Sequence, residues 1–395
     1  MTANQEIYVL SAVRTAIGSY GGGLKDVPTV DLAALVVKNA VERAGVEPAS
    51  VGHVVIGHVI HTDPRDMYIG RVAAVNGGLP VETPAFTCNR LCGSGLQAIV
   101  SAAQQIQTGH SEITIAGGAE NMSRSMYWMP AARWGARMAD TAMIDAMVGA
   151  LTDPFDKVHM GITAENVAEK WGISREDQDA LAVQSHHRAA QAWAQGRFAG
   201  QIVPVEIASR KKTVIFDQDE HFRADATPEG MAKLRPVFKK DGSVTAGNAS
   251  GLNDAASALV LASGSAVNGS NLKPIARLVG YSHAGVEPAY MGIGPVPAVK
   301  KLLAQTGLSL SDFDVFEVNE AFAAQALAVC RDLDLPADKT NPNGSGISLG
   351  HPVGATGAIV STKAIHELHR TGGRYALVTM CIGGGQGIAA AFERV

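Results

Sequence analysis

A cysteine stands immediately before a predicted helix in the run Asn-Arg-Leu-Cys-Gly-Ser-Gly, residues 89–95. There the sulfur of Cys92 lies near the positive end of the helix and its unpaired N–H groups, which favour a thiolate. The sequence therefore predicts a pKa for Cys92 below the usual value of about 8.5. This pattern is typical of a nucleophile, and a small buried cysteine with a packing role is the alternative.

A second cysteine, Cys381, ends a predicted strand over Tyr375–Thr379 and opens the glycine-rich run Cys-Ile-Gly-Gly-Gly-Gln-Gly. Such a turn exposes backbone N–H groups, which can hold a phosphate or a developing oxyanion. The other two cysteines, Cys88 and Cys330, are expected to serve packing.

Two polar residues also stand at the ends of predicted elements. His351 lies in a Gly-His-Pro-Val-Gly turn that leads into a helix, and Asn319 directly follows a strand of buried type. In α/β sheets such ends form the crevice where ligands bind. A thiol nucleophile needs a nearby base or cation, and a thioester carbonyl needs hydrogen-bond donors. Cys92, Cys381, His351 and Asn319 are therefore the candidate catalytic residues.

Strands alternate with helices in the first and last thirds of the chain, which indicates an α/β fold. The predicted elements of the first third are the strands Ile7–Val13, Val54–Val59 and Ile113–Ala116 and the helices Asp31–Ala44 and Gly93–Gln107. Those of the last third are the helices Pro297–Gln305 and Gly354–Leu368 and the strands Val315–Val318 and Tyr375–Thr379.

One numerical offset relates the two thirds. Gly45 and Gly307 end two predicted helices, Gly95 and Gly357 begin two others, and both pairs lie 262 residues apart (307 − 45 and 357 − 95). The same shift pairs a predicted strand of the first third with one of the last third. We therefore expect an internal duplication, with two similar α/β halves packed together.

The stretch between the halves, roughly 121–251, breaks this alternation and predicts an insertion with an amphipathic segment at Ile173–Arg197. Its charged part, Ser209–Gly242, holds eight basic and six acidic residues, a local excess of +2 in a chain of net charge −4. This excess is either a solvated face or a surface for the phosphates of an anionic ligand.

Composition excludes several classes of protein. With 46% hydrophobic and 18% charged residues over 395 positions, the chain is globular, with two or three domains. The net charge of −4 argues against nucleic acid and anionic lipid as partners, and four cysteines without a Cys-x-x-Cys pair argue against a disulfide scaffold or a zinc site. Because it has no leader-like start and no apolar run of about 18 residues, we expect a cytoplasmic protein with no metal and no membrane segment.

Four of these blocks, in this order, resemble those of the thiolases over the whole chain. The run around Cys92 is similar to the nucleophile motif, Asn-Glu-Ala-Phe from Asn319 and Gly-His-Pro around His351 to the two oxyanion blocks, and the run from Cys381 to the acid/base block. The resemblance implies an α/β thiolase-like fold. Its two duplicated mixed-sheet halves would pack in α-β-α-β-α layers, with an inserted loop domain.

The domain bounds implied by the resemblance follow the duplication. The N-terminal half would comprise residues 1–121 with a return segment at 252–271, and the C-terminal half residues 272–395. The loop domain, residues 122–251, would bind CoA and make oligomer contacts.

The implied reaction is the reversible Claisen condensation of acetyl-CoA with an acyl-CoA to give a 3-ketoacyl-CoA and CoA. Cys92 would form an acyl-thioenzyme, and Cys381 would remove the α-proton of acetyl-CoA. His351 and a water held by Asn319 would stabilise the enolate oxygen, while the N–H groups of Cys92 and Gly383 would form a second oxyanion hole.

The residues implied to contact CoA lie mostly in and around the loop domain. They are Leu151, His159, Met160, Arg223, Phe238, Ala246, Ser250, Ala321 and Phe322, with Met291 lining the acyl pocket. Gly230 replaces the serine of well-known members, and Arg90 replaces the glutamine of some acetoacetyl-specific members. CoA would be substrate and product with no tightly bound cofactor, and the chain would form a homo-oligomer, a dimer or a dimer of dimers.

Within the family, Asp63–Met67 and Asp153–Phe155 are most similar to bacterial biosynthetic β-ketothiolases that accept chains beyond acetyl, enzymes of fatty acid metabolism and polyhydroxyalkanoate biosynthesis. Other interpretations stay open. A ketoacyl synthase or hydroxymethylglutaryl-CoA synthase shares the Cys, His and Asn chemistry but needs no second thiol. A papain-like hydrolase would have a different motif around its cysteine. A non-catalytic acyl-CoA or sterol carrier would not need four reactive blocks.

Overall fold

A computed structural model describes residues 6–208 and 212–395 of the chain. Arg210 and Lys211, two bases of the predicted charged segment, lie outside the described residues. The strands are β1 Ile7–Thr15, β2 Gly18–Ser19, β3 His53–Gly57, β4 Ala85–Cys88, β5 Ile113–Asn121, β6 Tyr127–Trp128, β7 Ile144–Asp145, β8 Ile202–Val203, β9 Val205–Ala208, β10 Thr213–Phe216, β11 Asn253–Ser263, β12 Ala276–Gly285, β13 Phe313–Val318, β14 Tyr375–Ile382 and β15 Gln386–Arg394. The α-helices are α1 Thr29–Ala44, α2 Ile69–Asn76, α3 Ser94–Gln107, α4 Ala146–Ala150, α5 Met160–Trp171, α6 Arg175–Ala194, α7 Pro228–Ala232, α8 Gly264–Asn268, α9 Pro295–Thr306, α10 Ala323–Leu333, α11 Gly346–Leu349 and α12 Thr356–Thr371.

Each half of the chain builds a mixed sheet with the same strand order and directions. In the first half β3 and β5 are parallel, and β11 and β1 follow antiparallel, with β4 added outside β3. In the second half β13 and β14 are parallel, and β15 and β12 follow antiparallel. The sheets join where β1 pairs with β12 over Ile7–Val9. The prediction of two mixed-sheet α/β halves is confirmed.

The predicted offset is visible in the elements themselves. Helices α3 and α12 begin 262 residues apart (356 − 94), and so do strands β5 and β14 (375 − 113). In the second half, β14 and β15 are joined by a tight turn in which Gly384 and Gly385 adopt φ values of 81° and 84°. In the first half, the equivalent strands β5 and β11 are separated by residues 122–252.

The helices form three layers around these two sheets because alternate strand residues face opposite sides. Val54 in β3 packs in the cluster that holds α1 and α2, whereas Val55 faces α3 and α12. In β14, Val378 faces the same central pair of helices and Leu377 faces α9 and α10. The predicted α-β-α-β-α layering follows, with α3 and α12 in the middle.

Glycines allow the two central helices to touch. A Cβ atom on Gly95 would lie 2.6 Å from the backbone nitrogen of Ala358, and one on Gly357 would overlap the backbone nitrogen of Leu96. The glycines that the offset pairs therefore mark the crossing of α3 and α12.

Some predicted bounds were wrong. Strand β5 continues five residues beyond Ala116 to Asn121, since Gly117 and Gly118 lie against neighbouring backbone rather than ending the strand. The amphipathic segment after Ile173 becomes α6, which begins where the Ser174 side chain accepts the Asp177 N–H. No helix in the described ranges is long and apolar enough to span a lipid bilayer.

Candidate active site

A cavity of about 400 Å³ brings together both candidate thiols. Its wall includes Cys92 from the turn before α3, Cys381 from β14, Gly383 from the turn after β14, and His351 from the loop before α12. Equivalent positions of the two halves thus converge on one space. Apolar side chains form most of the remaining wall, as is usual for a ligand pocket.

The turn that carries Cys92 is tightly held. Leu91 adopts φ +43°, an uncommon left-handed conformation for a residue with a side chain. Its N–H donates to Asn89 Oδ1 at 2.9 Å, and its carbonyl accepts the Ser94 hydroxyl at 2.7 Å. The same hydroxyl accepts the Arg90 N–H at 2.8 Å. These bonds fix Cys92 two residues before the first residue of α3, as predicted.

The low pKa predicted for Cys92 is wrong for this structure. Burial raises the pKa of the Cys92 thiol to about 11, although the backbone N–H groups of Gly383 and of Cys92 itself act in the opposite direction. Burial also raises the pKa of Cys381 well above its usual range, and the nearby Cys92 adds to this rise. Desolvation outweighs the helix terminus, so both groups rest as thiols and each needs a proton acceptor.

His351 lines the same cavity and carries a ring nitrogen that can accept a proton. Its Nδ1 lies 2.7 Å from Thr356 Oγ1, and that hydroxyl donates its hydrogen to the Pro352 carbonyl at 2.9 Å. Because a hydroxyl has one hydrogen, the network assigns the imidazole hydrogen to Nδ1 and leaves a lone pair on Nε2. Burial lowers the pKa of His351 to about 4, which keeps the ring neutral at pH 7.

Asn319 lies behind the histidine rather than in the cavity wall. It follows β13 directly, is fully buried, and places Nδ2 3.5 Å from both ring nitrogens of His351. Its backbone N–H donates to the Thr379 carbonyl at 3.0 Å, which ties it to β14. The described residues provide no hydrogen-bond partner for Asn319 Oδ1.

Most of the residues implied to contact CoA or the acyl chain line the same cavity. These are Leu151, His159, Met160, Phe238, Ala246, Ser250, Met291, Ala321 and Phe322. Arg223 does not line it; together with Gly230 it lines an adjoining cavity of about 350 Å³, which shares Ala246 and Ala249 with the first. Arg90 also lies elsewhere, where its Nη1 donates to Gln386 Oε1 at 2.9 Å.

Sequence reasoning missed several residues. The apolar wall also takes in Val59, Leu91, Met122, Met147, Val237 and Val353. Nothing in the sequence distinguishes Val59, Met122, Met147 and Val237 from ordinary core, whereas Leu91 and Val353 lie inside motifs already singled out. Thr356 lies five residues after His351, just beyond the Gly-His-Pro-Val-Gly turn, and its hydroxyl was a usable signal.

Comparison with known proteins assigns the family. Residues 7–265 match the model of the thiolase N-terminal domain, and residues 272–394 match that of the thiolase C-terminal domain. The chain is 62% identical over 392 residues to beta-ketothiolase BktB of Cupriavidus necator, covering 99% of this chain and 100% of that protein. It is 50% identical over 391 residues to an acetyl-CoA acetyltransferase of Chromobacterium violaceum, covering 98% and 100%.

Solved structures agree. The acetyl-CoA acetyltransferase of Bacillus anthracis superposes with a TM-score of 0.98 at 48% identity, over 100% of both chains. Human mitochondrial 3-ketoacyl-CoA thiolase in complex with CoA superposes with a TM-score of 0.96 at 45% identity, over 99% of this chain and 98% of that one. The chain belongs to the thiolase family, and a papain-like hydrolase is excluded.

Proposed function

We propose that this thiolase, an acyltransferase that reversibly joins acetyl-CoA and an acyl-CoA into a 3-ketoacyl-CoA and CoA, works through an acyl group carried on Cys92. One observation carries the assignment: two thiols and a neutral imidazole face a single apolar cavity. Of the thiols, Cys92 is half-buried and lies at the Gly383 N–H, whereas Cys381 is fully buried.

The first half-reaction begins with proton transfer from the Cys92 thiol to Nε2 of His351. The resulting thiolate attacks the thioester carbonyl, and the N–H groups of Cys92 and Gly383 stabilise the oxyanion. The C–S bond to CoA then breaks, and the departing CoA sulfur takes the proton of Cys381. Since burial keeps Cys381 protonated at rest, this residue acts first as an acid.

The second half-reaction uses the Cys381 thiolate that the first leaves behind. It removes the α-proton of acetyl-CoA, and the His351 imidazolium, with Asn319 behind it, stabilises the enolate oxygen. The enolate carbon attacks the acyl group on Cys92, the C–S bond breaks, and the Cys92 sulfur recovers its proton from His351. All three groups return to their starting states.

Two single variants test these roles. Cys92→Ser should abolish covalent labelling by acyl-CoA, because the acceptor sulfur is gone. Cys381→Ser should still become labelled, although more slowly because Cys381 gives its proton to the departing CoA sulfur, but it should not support condensation or exchange of the α-proton. Intact-protein mass spectrometry measures labelling, and loss of α-deuterium from acetyl-CoA measures exchange. Equal loss of labelling in both folded variants contradicts the assignment.

We propose that residues 122–251 act as the loop domain that binds CoA, with the reacting thioester in the larger cavity and the nucleotide end toward Arg223. The two adjoining cavities support this, since Ala246 and Ala249 line both. His159 stacks on Phe238 with ring centroids 4.7 Å apart, which builds an aromatic wall along the route. CoA serves as substrate and product.

We also propose a homo-oligomer, a dimer or a dimer of dimers, in the cytoplasm. Trp134 is 85% exposed and Met138 93% exposed, and large apolar side chains exposed together often mark a surface that another protein chain covers. Strand β4 ends the sheet beside the Cys92 turn and offers a second surface. Light scattering that gives the mass of one chain would contradict the oligomer. All four cysteines are unpaired, which fits a reducing compartment.

A further inference from the structure

Three buried titratable side chains that the mechanism does not use lie behind the catalytic cavity. They are His58, in the loop after β3, Asp66, from the Asp63–Met67 segment, and Glu120, near the end of β5. Each is 0–1% exposed. Charges buried this completely are retained only where they are paired and hydrogen-bonded, so their partners indicate what they hold.

Glu120 ties the two halves of the molecule together. Its Oε2 accepts the N–H of Val59 at 3.1 Å and that of Gly354 at 2.9 Å, and its Oε1 accepts the N–H of Ile60 at 3.1 Å. Gly354 ends the Gly-His-Pro-Val-Gly loop that carries His351. One carboxylate therefore fixes the catalytic loop of the second half against the first.

The fit between this loop and the carboxylate is close. A Cβ atom on Gly354 would lie 2.5 Å from Glu120 Oε2 and 3.0 Å from the Cα of His58. A Cβ atom on Gly118 would overlap the Gly354 carbonyl oxygen. Glycine at both positions lets the loop approach the carboxylate, so the position of the loop depends on that of Glu120.

His58 lies between the two carboxylates. Its Nδ1 lies 3.2 Å from Glu120 Oε1 and 2.9 Å from the Ala119 carbonyl, and its Nε2 lies 3.7 Å from Asp66 Oδ2. Burial alone lowers the pKa of His58, but Glu120 and Asp66 together raise it above its ordinary value. The His61 ring, stacked 5.3 Å away, is the other titratable group against it.

We infer that Glu120 is a positioning residue of the reaction: it fixes the loop that places His351, and its negative charge acts on the Cys92 thiol. The inference rests on the roles proposed above for Cys92 and His351. Burial is the larger cause of the raised pKa of Cys92, and the negative charge of Glu120 raises it in the same direction. Asp66, which accepts the Thr62 N–H and hydroxyl at 2.6 and 2.8 Å, anchors the far side of His58.

Two variants test the inference on the full chain. Glu120→Gln should lower kcat roughly 100-fold, as expected for a small misplacement of a catalytic group, with KM for acyl-CoA little changed. Iodoacetamide should alkylate Cys92 about 3-fold faster at pH 8 in this variant, the effect of half a pKa unit. His58→Gln keeps a donor toward Glu120 but removes the ring between Glu120 and Asp66, so kcat should fall about 10-fold.

Asp219→Asn is the matched control. Asp219 is also a buried carboxylate, which pairs with Arg14 at 2.8 Å and accepts the Ile17 N–H at 2.7 Å, but it contacts no residue of the His351 loop. This variant should lose stability while keeping kcat and the alkylation rate. A merely structural role for Glu120 would give the same result as Asp219→Asn.

Three outcomes of these experiments would overturn the inference. Two concern Glu120→Gln: a loss of kcat no greater than that of Asp219→Asn, or an alkylation rate equal to that of the wild type. If Glu120→Gln does not fold, His58→Gln decides alone, and an unchanged kcat there is the third. Covalent labelling that survives Cys92→Ser would instead refute the proposed function, whatever the Glu120 variants show.

Discussion

At the scale of single residues, the chemistry depends on which nitrogen of His351 carries its hydrogen. The hydroxyl of Thr356 gives its hydrogen to the Pro352 carbonyl and can only accept from Nδ1. Nε2 thereby keeps the lone pair that the proposed proton transfer from Cys92 needs. Without that partner the ring can adopt either tautomer, and one of them has no lone pair at Nε2.

We therefore expect Thr356→Val to lower kcat by about 10- to 100-fold, part of the 10²–10⁴ that a positioned general base contributes. Thr356→Ser keeps the hydroxyl and should retain most of the activity. The pH dependence of Cys92 acylation gives the second measurement. In the wild type, acylation should fall toward acid with an apparent pKa near 4, since burial lowers the pKa of His351 to about 4 and a protonated ring accepts no proton.

A wild-type acid limb near the ordinary histidine value of about 6.5 would contradict this assignment. So would a Thr356→Val enzyme as active as Thr356→Ser. Valine has nearly the same shape as threonine but no hydroxyl, and serine keeps the hydroxyl but lacks the methyl group. The two variants therefore separate the effect of the hydrogen bond from that of side-chain volume.

At the scale of elements, the sequence predicted where helices and strands begin and end better than it predicted the environment that their packing creates. The positions of Cys92 before α3 and of Asn319 after β13 follow from local patterns, and both predictions are confirmed. The pKa of Cys92 was predicted in the wrong direction because it depends on enclosure. Met147 and Ala249, two residues between β5 and β11, line the same cavity, and no pattern in the sequence places them there.

Glu120 illustrates the same limit. Gly-Gly-Ala-Glu reads as a break after the strand Ile113–Ala116, whereas the structure continues β5 through both glycines to Asn121. The glycines are there for close backbone approach between distant segments. The hydrogen-bond partners of this glutamate come from both halves of the molecule, so the sequence alone does not reveal them.

The crossing of α3 and α12 provides a prediction at this scale. Gly357→Ala would drive a methyl group into the backbone nitrogen of Leu96, and backbone cannot move aside as a side chain can. We expect the free energy of unfolding to fall by about 3 kcal/mol, the upper end for an overpacked core. Urea denaturation of the folded enzyme measures it.

Gly269→Ala is the control for this substitution. Gly269 follows α8 with φ −98°, and a Cβ atom there would have the Ser265 carbonyl at 3.6 Å, an ordinary contact. Its unfolding midpoint should lie close to that of the wild type. If both alanine variants unfold at the same urea concentration, the close approach of the central helices does not limit stability.

At the scale of the whole molecule, the active site belongs to no single half. The first half supplies Cys92, the second supplies His351 and Cys381, and the inserted segment supplies Met160 and Ala249. The duplicated fold brings the ends of elements from both halves to one space, and the segment between β5 and β11 supplies part of its wall. Burial there raises the pKa of both thiols.

The net charge of −4 on this molecule repels a polyanionic substrate, so attraction depends on positive side chains near the site. Arg223 lines the adjoining cavity with His186 and His221. Burial lowers the pKa of both histidines, to about 4 for His186, so they are neutral at pH 7 and the positive charge there comes from Arg223. Asp225 lines the same cavity and partly offsets it.

Arg223→Ala should therefore raise KM for acyl-CoA by up to about 5-fold at low salt, the effect of roughly 1 kcal/mol for an exposed charge pair. The difference from wild type should shrink as salt rises, because the screening length falls to about 8 Å near 0.15 M. Arg235→Ala, which removes an equal charge from the same segment but lines neither cavity, should leave KM nearly unchanged. An acyl-pantetheine substrate has no nucleotide phosphates, so its KM should not respond to Arg223→Ala. An equal rise in KM for both substrates would show that Arg223 shapes the cavity rather than attracting the nucleotide.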